Sequence, residues 1–499
     1  MSQRRSQFQV SDYAYRYNTE MHKWSGIFDR KHERDALDRF TNRGAPGATL
    51  GLVYGRRRQG KTILLQALSE ATGGFYHSAL EQSSRQNLRH LGEALGRYRG
   101  LATPLTIDNW ADAVDALLAL GEADHPLPVV VDEFPYLVDR APELASILQS
   151  ALSPRGRARR ESNARLILCG SAFSVMRGLL GGSAALRGRA VMEQIVNPFA
   201  YRTAAAFWNI TKPWELAFKV NALLGGTPAY RDFCNDDMPT TIRDFDHWVS
   251  RTILNPASAL FREGRVLVAT EPQIGDANLY LSILAAISNG NTRTSQIGAA
   301  LGRSETSLSR QFAVLEEIQL ISRLPDPLRQ RRSTHRIAEP MLRTHQLIIG
   351  RHEARLLRHQ AETVWREAQP TITNNIYGPH FEDLAREWTI SCASAETLGA
   401  AAQQVGRTEV ACREHRINHE VDVVVVTEGR VLAIGEAKLH KVGSDQVARL
   451  RHVAELLPGG TDARLLVFSG SGFDKETIAF AQTDSRVQLV DFERLYAGS

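Results

Sequence analysis

Gly55-Arg56-Arg57-Arg58-Gln59-Gly60-Lys61-Thr62 is the stretch on which the reading of this chain turns. Its two glycines, followed by lysine and threonine, have the spacing of a loop that cradles phosphate, and the flanks carry the rest of the signal. Leu52-Val53-Tyr54 before it suits a buried strand. Ile63-Leu64-Leu65-Gln66-Ala67-Leu68 after it suits the first turns of a helix whose unpaired N–H groups point at an anion. In such a loop the glycines let backbone amides curl around a β-phosphate, the lysine spans the β- and γ-phosphates, and the threonine hydroxyl takes Mg²⁺. Gly55, Arg56, Arg57, Arg58, Gln59, Gly60, Lys61, Thr62 and Ile63 are therefore the candidate nucleotide-binding run, with ATP and Mg²⁺ as the expected cofactors.

The second half of such a site is read downstream. Val129-Val130-Val131-Asp132-Glu133 is an apolar strand ending in two acids. Asp132 suits a magnesium ligand acting through water, and Glu133 suits the group that orients or deprotonates an attacking water. Two acids after a strand also suit a solvated turn or a helix cap. A further strand, Leu166-Ile167-Leu168-Cys169, ends at Gly170-Ser171, which makes Ser171 a candidate γ-phosphate sensor. Leu186-Arg187-Gly188-Arg189 holds two arginines, Arg187 and Arg189, suited to neutralise transition-state charge. An arginine supplied by a neighbouring subunit requires assembly, so a homo-oligomer is expected.

The chain has 499 residues, 43% hydrophobic and 23% charged, which provides apolar material for several cores and excludes a largely disordered polymer. Sixty basic residues nearly balance 55 acidic ones, and the net charge of +5 permits nucleic-acid binding without demanding it. Cys169, Cys234, Cys392 and Cys412 are far apart and form no CxxC pair, so neither a zinc site nor a disulfide framework is indicated. The first residues lack an apolar signal region, and no run approaches the roughly 18 apolar residues of a membrane span. The expectation is a cytoplasmic protein with no membrane partner.

From about 48 to 200, strand-like runs alternate with amphipathic stretches, the pattern of a parallel sheet covered by helices. The strands are expected at Thr49–Tyr54, Gly74–His77, Leu127–Asp132, Arg165–Cys169 and Val191–Val196. Residues 205–265 read as helical, with a turn at Leu224-Gly225-Gly226-Thr227-Pro228. Between about 275 and 345, Gly302 ends one short helix and Ser304 caps the next, which runs to about Ile318 and is followed by Leu320-Ile321-Ser322-Arg323.

By these residues the chain resembles the archaeal-type, STAND-related P-loop ATPases, whose C-terminal region looks restriction-endonuclease-like. The resemblance rests on Phe28-Asp29-Arg30, Gly55 through Thr62, Asp132-Glu133, Gly170-Ser171, Leu186 through Arg189, Asn197-Pro198-Phe199 and Gly225 through Pro228. It extends less specifically through Arg336-Ile337-Ala338-Glu339-Pro340 to Gly378-Pro379-His380-Phe381-Glu382. It implies an α/β fold: a P-loop NTPase parallel sheet, a helical lid, a winged helix and a C-terminal restriction-endonuclease-like α/β domain. The corresponding division is an N-terminal arm over 1–26, an ATPase core over 27–204, a helical lid over 205–270, a winged helix over 271–347, a linker helix over 348–370 and a nuclease-like domain over 371–499.

Residues 275–325 suit a winged helix independently. Arg303, Ser304, Thr306, Ser307, Ser309, Arg310 and Gln311 at the start of its second helix suit contacts with phosphates or base edges, while a lid or protein contact accounts for them equally. DNA is the expected partner, and a partner protein could be met by the arm or by the winged helix.

The C-terminal segment adds His419-Glu420-Val421-Asp422-Val423-Val424-Val425-Val426, Thr427-Glu428-Gly429-Arg430 and Val431-Leu432-Ala433-Ile434-Gly435-Glu436-Ala437-Lys438. A hairpin with a three-residue loop at Glu428 to Arg430 sets Thr427 against Val431, Asp422 against Glu436 and Glu420 against Lys438, all four polar groups on one face. Two carboxylates and a lysine so placed suit Mg²⁺-dependent attack on a phosphodiester, with Asp422 and Glu436 as metal ligands and Lys438 beside them. Glu382, on an amphipathic stretch, is the helix carboxylate expected to complete the set, and Gln446 resembles the glutamine of some such nucleases. The position before Asp422, commonly proline in those enzymes, is Val421 here. A plain solvated hairpin with a Glu–Lys pair explains the same residues.

Two functions follow. In the first, ATP binding and hydrolysis act on DNA, with nucleotide state controlling a Mg²⁺-dependent nuclease-like domain. In the second, the chain is an ATP-dependent signalling switch whose C-terminal domain binds without cutting.

Overall fold

The computed structural model describes residues 24–499 apart from Ala45, residues 122–124, Ser183 and residues 330–331; most of the arm expected over 1–26 lies outside the described residues. The chain divides into two compact units, Met1–Pro198 and Phe199–Ser499.

The first unit is built on five parallel strands: β1 (Thr49–Tyr54), β2 (Phe75–Ser78), β3 (Leu127–Asp132), β4 (Ala164–Gly170) and β5 (Ala190–Ile195), in the order β2-β3-β4-β1-β5. β1 and β4 are buried along their whole length, as apolar runs between helical layers must be. The helix Lys61–Thr72 packs Leu64, Leu65 and Leu68 into a core with Val53, Val130, Ile167 and Trp24. Each of those leucines stabilises the unit by roughly 1.5–3 kcal/mol. Parallel strands all end on the same edge, so the segments after β1, β3 and β4 are gathered there although over 100 residues separate the first from the last.

The second unit begins with helices, among them Tyr201–Phe207, Trp214–Leu224, Ile242–Arg251 and Ala259–Ala269. Its turn at Gly226 is a close approach, since a Cβ there would meet the Phe199 carbonyl oxygen at 1.9 Å. Next come the helices Ala277–Ser288, Thr294–Leu301 and Glu305–Glu317 and the antiparallel pair of β6 (Ile321–Pro325) and β7 (Ser333–Ile337). Gly302, at φ 62°, ends the second of these helices, and Ser304 caps the third by accepting from Ser307 N–H, as the sequence predicts.

The helix Gly378–Ser391 then leads to a mixed sheet of β8 (Gln404–Cys412), β9 (Ile417–Thr427), β10 (Arg430–Lys438), β11 (Arg464–Ser469) and β12 (Val487–Val490), in the order β12-β11-β10-β9-β8. β8, β9 and β10 pair antiparallel, and β10, β11 and β12 parallel. One apolar core joins the helices to this sheet, with Trp208, Phe218 and Trp248 from the helices and Val423, Val425 and Phe468 from the strands.

The β9–β10 hairpin departs from the expected register. Its loop has two residues, Glu428 and Gly429, at φ 52° and 77°, so Thr427 pairs with Arg430 rather than Val431. Two left-handed residues make the tight turn that matches strand twist. An irregularity at Leu432 then inserts one residue into β10, Gly435 pairs with Val423, and continuing that ladder brings Asp422 beside Glu436. On the other side, Gly406 pairs with Val424 but Thr408 with Val421, so the two-residue alternation of β9 breaks at Asp422–Val423. This is why the four-group face does not form as a regular strand pattern. Glu420 keeps a largely exposed carboxylate paired with Arg407 at 3.5 Å.

Candidate functional site

The edge of the parallel sheet gathers five of the expected groups. Gly60, at φ 84°, opens the helix Lys61–Thr72, whose N-terminus carries no side-chain cap. Gly55 is held so close to β5 that a Cβ would meet the Val196 carbonyl oxygen at 2.3 Å. Lys61 is buried and its Nζ donates to the carbonyls of Gly55 at 2.9 Å and Arg56 at 2.7 Å. Burial lowers its pKa, and Cys169, Glu133 and Asp132 act against that shift.

Thr62 Oγ1 donates to Asp132 Oδ2 at 2.8 Å, Tyr76 donates to the same oxygen at 2.8 Å, and Glu133 N–H donates to Asp132 Oδ1 at 2.8 Å. Glu133 is left-handed, at φ 52°, so the chain turns sharply as it leaves β3. Ser171 Oγ, at the tip of β4, donates to Glu133 Oε2 at 3.3 Å.

These residues fit a nucleotide with its cation. Thr62 Oγ1 is a hard oxygen whose lone pairs suit Mg²⁺ while its proton goes to Asp132 Oδ2 at 2.8 Å, which places that carboxylate to reach the ion through a bound water. Lys61 rests on two loop carbonyls, a lodging for a cation that phosphate oxygens can take over.

Of the other expected residues, Arg56 and Gln59 are buried, Arg57 and Arg58 half-buried, and Ile63 exposed at the mouth of the helix. Arg187 is exposed and donates to Gly182 O at 2.5 Å, and Arg189 is half-buried. Among the described residues, no hydrogen bond or ion pair joins either to Lys61, Thr62, Asp132, Glu133 or Ser171. Sequence reasoning gave no role to Tyr76 or to Arg30, which holds the back of the loop through Gln59 O at 2.8 Å and Asn197 O at 2.6 Å. The strand pattern located Tyr76, but its partner depends on the β2–β3 pairing.

In the second unit Glu382, Asp422, Glu436 and Lys438 converge. Lys438 Nζ lies 2.9 Å from Glu436 Oε1, and Asp422 Oδ2 accepts from Ala437 N–H at 3.0 Å. Arg386 donates to Asp422 O at 2.7 Å and approaches Glu382 Oε2 at 3.7 Å. Burial, then the neighbouring Asp422 charge, pushes the Glu382 carboxyl up to about 7. The Lys438 pKa is also raised: burial works against this, and Asp422, Glu436 and Glu382 outweigh it. Arg449, which the sequence analysis did not single out, forms an ion pair with the other oxygen of Glu436. Both Glu436 oxygens thus already face cations. Gln446 is taken up by its own helix, where Oε1 accepts from Gly443 N–H at 2.7 Å.

Beside this cluster is a cavity of about 350 Å³, lined by Glu382, Asp383, Arg336, Arg386 and Arg407 among others. Asp383 is buried against Arg386 at 2.7 Å, Arg336 at 3.1 Å and Arg343 at 3.6 Å. Burial opposes its ionisation, but the three guanidinium groups hold it well below the usual carboxylate range. No helix among the described residues is long and apolar enough to cross a membrane.

Comparison with known proteins gives partial likenesses. A family model, DUF234, described as archaea bacterial proteins of unknown function, matches residues 347–450. An uncharacterized protein of Methanocaldococcus jannaschii is 26% identical over 273 residues, covering 54% of this chain and 57% of its own length, so the chain spans little more than half of that relative. Among solved structures, the Walker-type ATPase of Pyrococcus abyssi is 21% identical with a TM-score of 0.47, covering 64% of this chain and 96% of its own. The ORC2 protein of Aeropyrum pernix, solved as ADPNP–ADP complexes, is 17% identical with a TM-score of 0.41, covering 69% and 96%.

Proposed function

We propose that this chain binds ATP with Mg²⁺ and hydrolyses it at the edge of the parallel sheet. The carrying observation is the hydrogen-bonded series from Thr62 through Asp132 to Glu133 and Ser171, set beside buried Lys61. Thr62 Oγ1 and, through water, Asp132 would hold Mg²⁺, which would supply positive charge against the phosphates. Lys61 moves from the Gly55 and Arg56 carbonyls to those oxygens. Glu133 orients the attacking water and accepts its proton, and Ser171 keeps the Glu133 carboxylate in place. Arg187 and Arg189 suit a neighbouring copy's site in a homo-oligomer.

The same proposal has the chain act on DNA in the cytoplasm, with nucleotide state governing the acidic cluster of the second unit. There Glu382, Asp422 and Glu436 supply carboxylates and Lys438 a cation, a set suited to Mg²⁺-dependent phosphodiester hydrolysis. One observation favours the second reading, a switch with a non-cleaving module: Lys438 and Arg449 already occupy both oxygens of Glu436.

The test incubates purified protein with Mg²⁺, ATP and labelled linear, circular, branched and single-stranded DNA, alongside Lys61→Ala, Glu133→Gln and Lys438→Ala. Cleavage lost in Lys438→Ala and altered in Lys61→Ala establishes an ATP-controlled nuclease. Intact DNA throughout, with ATP turnover lost in the Lys61 and Glu133 variants, leaves the switch. Undiminished turnover in both variants overturns the ATPase site.

A further inference from the structure

At the far end of β8 a second constellation stands apart from both sites. Cys412, nearly fully buried, ends the strand; His415 lies in the turn to β9; His452 comes from the helix Ser444–Glu455. Cys412 Sγ is 3.2 Å from His415 Nδ1 and 3.5 Å from His452 Nε2, and all three ligand atoms lie within 4.8 Å of one another. The sulfur can donate its proton to one imidazole and accept N–H from the other, so the three side chains converge on one point whichever tautomers they hold. A tetrahedral zinc with Zn–S near 2.3 Å and Zn–N near 2.05 Å sets sulfur and nitrogen about 3.6 Å apart, close to both distances.

A further observation points the same way. His419, on β9, is 8% exposed, and its Nε2 has no hydrogen-bond partner. Its ring packs edge-on to that of His452 at 5.8 Å, and the His415 ring is also edge-on to His452 at 5.4 Å. A buried imidazole nitrogen left unpaired is costly unless something binds it, and this one stands against the ring of His452.

We propose that Cys412, His415 and His452 form a binding site for a zinc-class divalent cation that staples the β8–β9 turn to the helix Ser444–Glu455. One thiolate and two neutral imidazoles are borderline-soft ligands, which select zinc over magnesium. His415 is exposed, so an ion has a path in and water can fill a fourth position. The absence of a CxxC pair hid this site, because its ligands combine a Cys-x-x-His turn with a histidine 40 residues further on. Arg449 lies three residues before His452, one turn away on the same helix, so the staple also steadies the helix that carries the Glu436 ion pair.

Full-length protein, stripped with a chelator and dialysed, is titrated with Co²⁺ and then Zn²⁺ while absorption is recorded. We expect one Co²⁺ per chain, with a sulfur-to-cobalt charge-transfer band and the intense ligand-field bands of tetrahedral cobalt, both erased by one equivalent of Zn²⁺ and unaffected by excess Mg²⁺. Cys412→Ser should lose the charge-transfer band, and His452→Ala should weaken Zn²⁺ binding at least tenfold while circular dichroism stays native. Absence of the charge-transfer band in the unaltered chain, which needs no variant to fold, overturns the site. So does an identical cobalt spectrum in Cys412→Ser.

Discussion

At the scale of single residues, the assignment of Glu133 carries the sharpest expectation. Its backbone is left-handed and its carboxylate accepts from Ser171, so it is held by the fold rather than left to solvent. Glu133→Gln keeps the size and loses the base. ATP turnover should fall about 10²- to 10⁴-fold in kcat with nucleotide affinity nearly unchanged, read by steady-state kinetics beside equilibrium binding. A parallel loss of affinity would mean that Glu133 supports the loop instead. Lys61, Thr62, Asp132 and Glu133 were proposed from strong local patterns in the sequence, and the fold brings the four together. Tyr76 was not, because nothing local says that β2 lies beside β3 and so brings its hydroxyl to Asp132.

Glu382 is a candidate-site residue whose protonation the fold changes in the pH range of ordinary work. Its folded value is raised to about 7, so between its ordinary value and 7 the native state holds a proton that the unfolded chain has released. Stability therefore falls as pH rises through that window, by at most about 3 kcal/mol and less after screening at its partly exposed carboxylate. Buried His77, His335, His345 and His380, held below the usual imidazole range, act in the opposite direction, so the readout is the difference between Glu382→Gln and the unaltered chain in denaturant melts from about pH 4.5 to 7.5; equal slopes would place the titration elsewhere.

Between elements, Asp383 is the neighbouring residue with the opposite behaviour. It ties the helix Gly378–Ser391 to Arg336 on β7 and to Arg343 on the helix Pro340–Thr344. Removing it strands buried cations, so Asp383→Ala should cost about 3–5 kcal/mol in chemical denaturation. Its depressed value means that this stabilisation is present above the usual carboxylate range and is lost as pH falls below it, the reverse of Glu382. A loss under about 1 kcal/mol would show that water already screens the cluster. The elements themselves were largely readable: β1 and β3 have the expected bounds, and Gly302 and Ser304 delimit their helices as expected. The β9–β10 hairpin was readable as a hairpin but not in its details. The expected meeting of Asp422 and Glu436 holds because the irregularity at Leu432 offsets the shorter turn.

For the whole molecule, the proposal that nucleotide state governs the second unit makes a separable prediction. ATP with Mg²⁺ at about 100 times Kd stabilises whatever binds it by roughly 2.7 kcal/mol. Hydrogen exchange should slow in the loop from Gly55 to Thr62 and around Asp132, and this effect should vanish in Lys61→Ala. If control reaches the second unit, exchange must also change in the helix Gly378–Ser391 and in β9 and β10. Slowing confined to residues before 198 would sink the control reading and leave the ATP site intact.

The sequence by itself determined what depends on neighbours along the chain: the glycine-bounded loop with its strand and helix, the acidic strand end, helix caps, and the apolar runs that become strands. Hydrogen bonding and side-chain period act over a few residues, so those features are written locally. Tertiary structure decided which strand ends share an edge, that Arg449 covers Glu436, that three arginines surround Asp383, and that Cys412 meets His452. Each depends on strand order, on an extra residue in a ladder, or on the packing of a helix onto a sheet. Such contacts join residues tens of positions apart, and their free energy comes from burial that no local window contains.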